Sequence, residues 1–505
     1  MRKLVMWAAI VVLGTAAAAA TAQDIASFEK RMTLKTLANG LTVLIYERPE
    51  APTFAFFTHV DVGSDREAPG ITGLAHMFEH MAFKGTDKIG TKDYAAEKVA
   101  LENVEKAYLA YDAERRRHGS DEKKVAELEK AWKDAMADAD QHVVTNAFGE
   151  MVAREGGVGM NAGTSKDETM YFYSMPANRL EHWAYLESER FLNPVMREFY
   201  KERDVVVEER RKSYESDPIG RLREQLVCAA FTAHPYGQPN IGWPSDLRSF
   251  SATDALEFYR RYYVPANMVI ALVGDVKAAE AMPLVEAYFG RLPARPRPEP
   301  LRTLEPPQRV ERTVVMRDAA QPYYMEGYHR PSWDDPSDAV YDVISDLLSK
   351  GRTSRLYRAL VRDKKIAAGA SGQNGFPGAK YPHLFLFQAV STPGHTPEEL
   401  RDAIHAELER LKNEDVPEEE LKAVKTRARA DLVRRLGSNS GLAEQFGYAQ
   451  ARFGDWRELF RMVERMQKVT AADVRKIAQQ TFVPENRTAA ILQSTRMAGA
   501  AAGGR

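Results

Sequence analysis

The sequence predicts an α+β fold made of two homologous α/β halves, each a mixed sheet with packed helices. One observation is an internal repeat, in which Asp254 and Asn267 recur as Asp473 and Asn486 at a constant offset of 219 residues. A second is a proline-rich stretch between the copies, which suits a stiff, extended linker. We therefore divide the chain into an N-terminal half (27–290), a linker (291–309) and a C-terminal half (310–492). Residues 493–505, rich in Ala and Gly, are expected to be a disordered tail.

Length and charge limit the classes of function. The chain has 505 residues, enough for two to four domains and a large core. Its 70 basic and 71 acidic residues are nearly balanced. This balance argues against a nucleic-acid partner or an anionic membrane surface.

Residues 1–22 have the three parts of a secretory signal: a basic start, an apolar stretch and a small-residue site ending at Ala22. An uncleaved anchor is the alternative, disfavoured because the strongly apolar part is shorter than about 20 residues. Cys228 is the only cysteine, so no internal disulfide forms and no lipid-attachment cysteine follows the signal. We expect a periplasmic or secreted bacterial protein with no stable membrane anchor after signal cleavage.

The first mature segments predict strands. Residues 32–46 alternate around the turn residues Asn39 and Gly40, as in a β-hairpin. Residues 54–62 then alternate as a strand with one buried face. A short loop leads from this strand to a helix that we expect to start at Pro69-Gly70 and to end at Lys84-Gly85.

This helix carries His76, Glu79 and His80. Histidines four residues apart lie one above the other on a helix, where two ring nitrogens can reach one Zn²⁺. Glu79 lies between them, in the His-x-x-Glu-His order of an inverted zinc-peptidase motif. Two surface histidines on an amphipathic helix are the alternative, but the apolar neighbours, Phe78 among them, favour a buried site that needs a partner for both rings.

A metal held by two histidines needs a third protein ligand. Glu202 and Glu209 are seven residues apart and so share one helical face in the predicted helix 195–215. Glu208 is a close rival by position. Glu187 and Glu189, in the preceding helix, also remain open.

Residues 94–145 contain two charged segments, each with apolar residues at the spacing of a helical seam. We predict an antiparallel helical hairpin, which we call the arm. A solvated surface arm is the favoured interpretation over a specific partner site. Beyond it, Met170–Tyr173 reads as a core strand.

The His-x-x-Glu-His motif followed by the Glu202/Glu209 pair resembles the pitrilysin/insulinase-type zinc metallopeptidases (inverzincins), on the branch of mitochondrial processing peptidase and its bacterial relatives. The resemblance implies one Zn²⁺ per chain, held by His76, His80 and Glu209. It implies that Glu79 is the catalytic base and that Glu202 supports the site. His80 and Glu209 are 129 positions apart, longer than in the family by about the length of the arm.

The same resemblance implies a clamshell of two halves around a peptide. The peptide would add as a strand beside Asn161, Ala162, Gly163 and Thr164. Gly163 stands where the family usually has a bulky residue, which predicts a more open cleft.

The second half lacks the motif. When Pro69 is aligned with Pro336, the positions of His76, Glu79 and His80 hold Val343, Asp346 and Leu347. Family members also carry an Arg and a Tyr in the second half that reach the substrate. A short alignment places Lys380 and Gln388 there, and neither replaces a guanidinium fork or a phenol.

The resemblance therefore implies a zinc-dependent endopeptidase that acts on peptides or unfolded polypeptides as the catalytic chain of a dimer. The implied partners are a peptide substrate and a homologous chain, in a hetero- or homodimer. The alternative is a non-catalytic, peptidase-like subunit with a structural or peptide-presenting role. A metal-binding protein without proteolytic activity is a third reading.

Overall fold

The structure is a computed structural model that describes residues 25–495. The expected signal peptide lies outside these residues, as does most of the expected tail. Within the described range, no helix combines the length and apolarity that crossing a bilayer requires.

The chain alternates helices and strands throughout. The helices are α1 (Ile25–Glu29), α2 (Leu74–Met81), α3 (Tyr94–Arg116), α4 (Glu122–Asp140), α5 (Ala147–Arg154), α6 (Leu180–Leu192), α7 (Phe199–Arg210), α8 (Pro218–Ala230), α9 (Pro244–Leu247), α10 (Ala252–Tyr262), α11 (Ala278–Phe289), α12 (Asp338–Ser349), α13 (Pro397–Asn413), α14 (Glu418–Arg435), α15 (Asn439–Phe453), α16 (Glu458–Lys468) and α17 (Ala471–Thr481). The strands are β1 (Met32–Thr36), β2 (Thr42–Glu47), β3 (Thr53–Val60), β4 (Val158–Thr164), β5 (Thr169–Pro176), β6 (Met268–Gly274), β7 (Arg312–Asp318), β8 (Tyr323–Arg330), β9 (Ala367–Phe376), β10 (His383–Ser391) and β11 (Arg487–Ser494).

The strands form one mixed sheet in each half. The N-terminal sheet has six strands in the order β1-β2-β6-β3-β5-β4, and the C-terminal sheet has five in the order β7-β11-β8-β10-β9. The pairs β2–β6 and β7–β11 are parallel, whereas the other pairs are antiparallel. Two mixed sheets with packed helices confirm the predicted fold class.

The repeat extends over a longer stretch than the sequence pattern. The helices α7, α10 and the strand β6 begin 219 residues before α14, α17 and β11 respectively. Both α10 and α17 also start with a capping box, formed by Ser251 with Asp254 and by Thr470 with Asp473. One α/β unit is therefore built twice.

Each half covers one face of the other half's sheet. Leu222 and Leu226 of α8 pack with Met325, Leu386 and Leu492 of the C-terminal sheet. In return, α15 packs against the N-terminal sheet, where its buried side chains meet those of β2, β3 and β6. The apolar surface that this exchange removes from water holds the two halves together.

Several element boundaries differ from those expected, among them the end of α2, which lies at Met81 and not at Lys84-Gly85. Helix α2 begins at Leu74, not at Gly70, because Gly73 has a φ of +97° and ends the preceding turn. Helix α7 begins at Phe199, not at Val195. The last strand runs to Ser494, so Gln493 and Ser494 are paired with β7 although the tail was expected to begin at 493.

The arm consists of α3 and α4, which start at the N-caps Asp93 and Asp121. Its charge predicted a free, solvated projection, but in the structure the arm packs against the N-terminal half. Tyr108 and Trp132 are buried, and both rings pack on Tyr200 of α7 with centroid distances of 4.3 and 5.2 Å. The arm therefore rests on the helix that carries Glu202 and Glu209.

Candidate metal centre

Helix α2 separates apolar from polar side chains. Its Leu74, Met77, Phe78 and Met81 side chains are fully buried in the core of the N-terminal half. His76, Glu79 and His80 occupy the other face and are only partly buried. The apolar face fixes the helix and leaves the three polar groups at the edge of a cleft.

The N-terminus of α2 is held by a residue that the sequence reading missed. The buried carboxylate of Glu67 accepts hydrogen bonds from the amides of Gly73 and Ala75, at 2.8 and 2.7 Å. Gly73 is needed at this point, because a Cβ there would lie 2.6 Å from the carbonyl oxygen of Ile241. Burial raises the pKa of Glu67 to about 8 despite these two bonds. An acidic residue just ahead of a helix was the available signal.

Helix α7 brings Glu209 to the two histidines. The Oε2 atom of Glu209 lies 3.7 Å from Nε2 of His76 and 3.7 Å from Nε2 of His80. The three candidate ligand atoms all lie within 4.8 Å of one another. Zinc–ligand bonds of 2.0–2.1 Å in tetrahedral geometry separate ligand atoms by about 3.4 Å, so small side-chain movements would complete such a site.

The donor set fits zinc. Two imidazole nitrogens and one carboxylate oxygen are the protein ligands of a common class of catalytic zinc site. Burial, together with the neighbouring His80, lowers the pKa of His76 to about 4, so this imidazole is neutral and has a free lone pair. The buried Nδ1 atom of His76 has no hydrogen-bond partner within the described chain, so nothing there competes for the ring's orientation.

Glu79 lies beside this cluster and does not belong to it. Its Oε2 atom accepts a hydrogen bond of 2.6 Å from the hydroxyl of Thr164 on β4. Burial raises the pKa of Glu79, and the Thr164 bond and the nearby His80 oppose this shift. A carboxylate with a raised pKa next to a metal site can accept a proton and later release it.

Glu202 contacts a ligand and not the metal position. Its Oε2 atom lies 3.3 Å from Nδ1 of His80, and its Oε1 atom lies 2.5 Å from Nζ of Lys84. Burial alone would raise the pKa of Glu202, but the bonds from His80 and Lys84 outweigh it and lower the pKa. An ionised Glu202 holds the Nδ1 proton of His80 and directs Nε2 toward Glu209.

The rival carboxylates are engaged elsewhere. Glu187 pairs with Arg190 at 2.8 Å, and Glu189 pairs with Lys88 and Arg291. Glu208 pairs with Arg211 at 2.8 Å, on the exposed side of α7. Of the alternatives left open by the sequence, only Glu209 joins the two histidines in a three-residue cluster.

The segment expected to bind substrate is the edge strand β4. It pairs with β5 on one side and forms the end of the N-terminal sheet. A Cβ on Gly163 would meet no atom within 4 Å, so the space beside this position is open. Asn161 accepts a hydrogen bond from the amide of Ala162. The hydroxyl of Thr164 is bound to Glu79, and its carbonyl accepts a hydrogen bond of 2.8 Å from the side chain of Asn240.

In the second half, helices α12 and α14 correspond to α2 and α7, and their side chains pack directly on one another. Val343 and Leu347 of α12 are buried, and Asp346 pairs with Arg427 of α14. Ala428 stands 219 residues after Glu209. Apolar residues therefore replace the three candidate ligands, and the ion-paired Asp346 stands at the position of Glu79.

Lys380 and Gln388 do not contact the candidate centre through any hydrogen bond or ion pair of residues 25–495. Lys380 pairs with Asp61, and its amide donates to Asp167, so it joins the two halves. Gln388 is bonded to Tyr323 and Ser371 within the C-terminal half.

The chain matches two family descriptions. Residues 42–113 and 133–242 match the model of the insulinase peptidases, family M16, and residues 249–428 match that of the M16 inactive domain. The unmatched interval 114–132 lies in the arm.

Curated relatives and solved structures agree with this match. The zinc protease PqqE of Helicobacter pylori is 30% identical over 420 residues, which cover 81% of each chain. The uncharacterized zinc protease YmxG of Bacillus subtilis is 22% identical over 467 residues, 92% of this chain and 98% of that protein. The crystal structure of a protease from Helicobacter pylori has a TM-score of 0.77 at 27% identity, covering 92% of this chain and 99% of that one. The chain belongs to the insulinase-type peptidases of family M16.

Proposed function

We propose that this chain is a zinc-dependent endopeptidase that hydrolyses peptides or unfolded polypeptides. The observation that carries the proposal is the convergence of the Nε2 atoms of His76 and His80 on Glu209, with Glu79 beside them. The relatives that are named zinc proteases support it.

The proposed roles follow from the contacts. His76, His80 and Glu209 would hold one zinc ion, which when bound supplies a Lewis acid for the scissile carbonyl and for water activation. Glu79 takes a proton from the attacking water and returns it to the leaving amine. Its raised pKa suits both steps. Glu202 keeps His80 in the tautomer that leaves Nε2 free.

The substrate site is the free edge of β4. A peptide that adds to this edge is held by main-chain hydrogen bonds, which require an extended backbone but few particular side chains. Asn161, Ala162, Gly163 and Thr164 would line this edge. Because backbone groups in an antiparallel strand point alternately to β5 and to the free edge, every second residue of the four would supply these bonds. Peptides and unfolded chains adopt an extended backbone readily, which supports action on them.

We further propose that the chain works in the periplasm with a homologous partner. The chain covers 48% of the periplasmic protease PqqL of Escherichia coli and 93% of a structure of that protein's first half. A second, homologous chain would take the place of the part of PqqL that this chain does not cover. The engagement of Lys380 with Asp61 is consistent with a substrate donor from another chain. We propose no nucleic-acid partner.

A non-catalytic, peptide-presenting subunit is the second candidate. The match of residues 249–428 to the inactive domain of the family favours it for the C-terminal half. It would not need the intact set of His76, Glu79, His80 and Glu209 in the N-terminal half.

The deciding experiment compares wild type with Glu79→Gln. Purified protein loaded with Zn²⁺ is incubated with a mixed set of unstructured peptides, and cleavage is followed by mass spectrometry. We expect cleavage by wild type, no cleavage by the variant and one zinc per chain in both. Glu127→Gln, an exposed position on the arm, is the matched control. Wild type with zinc that cleaves nothing, alone or with a homologous chain from the same organism, would support the non-catalytic subunit instead.

A further inference from the structure

Among residues 25–495, Lys84 is the one lysine or arginine that forms an ion pair with Glu202, whose other partner is His80. Its Nζ atom lies 2.5 Å from Oε1 of Glu202 and 3.2 Å from Oε2 of Glu198. All three side chains are largely buried, with 22%, 16% and 10% of their surfaces exposed. An ammonium group between two carboxylates in such a setting is held in place by charge-assisted hydrogen bonds.

The position of Lys84 in the chain connects α2 to α7. It follows the end of α2 by three residues, and its amide donates to the carbonyl of Met81 at 3.0 Å. Its own carbonyl accepts a hydrogen bond of 2.7 Å from Arg197, just before α7. Both ends of Lys84 are therefore bound, the backbone to Arg197 and the ammonium group to Glu198 and Glu202.

Lys84 also binds the residue that precedes α7. Glu198 is the residue before the helix and has a φ of +56°, a conformation that costs free energy for a residue other than glycine. Its carboxylate is bound by Lys84 and, at 3.5 Å, by Lys201. Lys201 in turn pairs with Asp140 at the end of α4, at 2.7 Å. A series of ion pairs therefore connects Asp140 of the arm to Glu202, whose carboxylate binds His80.

The two oxygens of Glu202 are divided between two donors. Oε1 binds Lys84, and Oε2 binds Nδ1 of His80. If Lys84 were absent, the carboxylate could rotate and would have one donor for two oxygens in a partly buried place. The Nδ1 bond would then no longer set the orientation of the His80 ring.

We infer that Lys84 is a positioning residue for the candidate metal site: it holds Glu202 in the orientation that directs Nε2 of His80 toward Glu209. This inference rests on the proposed zinc site and adds to it a residue outside the His-x-x-Glu-His motif. Lys84 binds the carboxylates of Glu198 and Glu202 and none of the three candidate ligands, so its effect on the orientation of His80 would pass through Glu202.

The test measures zinc affinity by competition with a chromophoric chelator, in wild type, Lys84→Met, Glu202→Gln and the double variant. Loss of an outer-shell partner typically weakens metal binding by about 10–100-fold, and we expect a loss of this order for Lys84→Met. In the Glu202→Gln background, Lys84→Met should cause little further loss, because the carboxylate it orients is already gone. Lys84→Arg, which keeps the charge, should restore most of the affinity. Lys92→Met, an exposed lysine that donates to the carbonyl of Gln141, is the matched control.

The outcomes separate this inference from the proposed function. If wild type binds no zinc, the proposed function fails first. If wild type binds zinc and Lys84→Met binds it equally tightly, the positioning role is wrong whatever the peptidase activity. An equal loss in both backgrounds would also contradict it, since Lys84 would then act independently of Glu202. If Lys84→Met does not fold, Lys84→Gln replaces it in the same cycle, and circular dichroism of each variant verifies the fold.

Discussion

The hydroxyl of Thr164 donates a 2.6 Å hydrogen bond to Oε2 of Glu79, across 85 residues of sequence. It joins the edge strand β4, where a peptide would add, to the carboxylate that would move the proton. Because the bond stabilises the ionised form of Glu79, it opposes the rise in pKa that burial causes. The substrate strand and the base are thus linked directly.

Replacement of Thr164 by Val should shift the pH dependence of peptide hydrolysis. Without the hydroxyl the pKa of Glu79 rises further, so a higher pH is needed to ionise the base. The acidic limb of kcat/KM against pH should move to higher pH, with a loss on the order of tenfold at pH 6 from one hydrogen bond to a charged group. Thr145→Val, at an exposed turn, is the control. An unchanged acidic limb would show that Glu79 is not the titrating base.

The choice between Glu209 and Glu208 can be tested with one pair of variants. Glu209→Gln removes a carboxylate that lies 3.7 Å from both histidine nitrogens, whereas Glu208→Gln removes one that is bonded to Arg211. We expect the first variant to weaken zinc binding by more than the roughly 10–100-fold that loss of an outer-shell partner costs. The second should bind zinc as wild type does. Zinc content after dialysis and chelator competition would measure both, and the reverse result would assign the ligand to Glu208.

The sequence indicated those parts of the site that depend on local spacing. His76, Glu79 and His80 lie within five consecutive positions. Helical geometry alone therefore predicted that the two histidines share one face and that Glu79 lies close to both. The contacts of Glu79 with Thr164 and of Glu202 with Lys84 join residues far apart in the chain, and no periodicity of the sequence predicts such contacts. Both depend on how β4 and α7 pack around α2.

The arm shows the same limit. Its helices followed from the spacing of their apolar residues, but that spacing cannot tell a seam between two helices from a face that also packs on a third. In the structure the arm also packs on a third helix, α7, where Tyr200 and Arg203 contact the rings of Tyr108 and Trp132. The charged outer faces favoured a solvated arm, and the buried aromatic cluster was the feature that this reading missed.

The attachment of the arm can be tested at its buried ion pair. Glu97 of α3 binds Arg197 through both oxygens, at 2.5 and 2.8 Å, and both side chains are almost fully buried. Glu97→Gln leaves a buried guanidinium without its carboxylate, which should destabilise the protein by about 3–5 kcal/mol. Urea unfolding would measure this loss. Glu102→Gln, exposed on the same helix, should change the free energy of unfolding by less than about 0.5 kcal/mol. Equal effects of the two substitutions would mean that the arm is not held by this pair.

Gly163 offers a test of the proposed substrate strand. A side chain there has open space, so Gly163→Phe should fold and bind zinc normally. The ring would stand beside a peptide added to β4, and we expect a changed set of cleavage sites and a higher KM for some peptides. Gly369→Phe is the matched control, because Gly369 lies on the edge strand β9 of the C-terminal half and is equally open. Identical cleavage patterns in wild type and Gly163→Phe would place the substrate elsewhere.

Asp65 predicts a pH dependence of stability. Burial raises the pKa of Asp65 to about 7, although Arg66 lies 3.4 Å from Oδ2 and opposes the rise, and neither carboxylate oxygen has a hydrogen-bond partner within the described residues. The folded state therefore keeps the proton at a pH at which the unfolded chain has lost it. The contribution of Asp65 to the free energy of unfolding should fall as the pH rises from about 4 to about 7 and then level off, because this residue holds its proton in the folded state and not in the unfolded state.

Asp65→Asn removes this titration, so its stability relative to wild type should increase with pH. Between pH 5 and pH 8 the difference should grow by about 2–3 kcal/mol, since one pKa unit corresponds to 1.36 kcal/mol. Thermal melts at both pH values would show a larger increase in Tm at pH 8. Asp138→Asn, exposed on α4, should follow wild type at both. A constant difference between Asp65→Asn and wild type would mean that Asp65 is ionised in the folded protein throughout this range, with a cation as its partner.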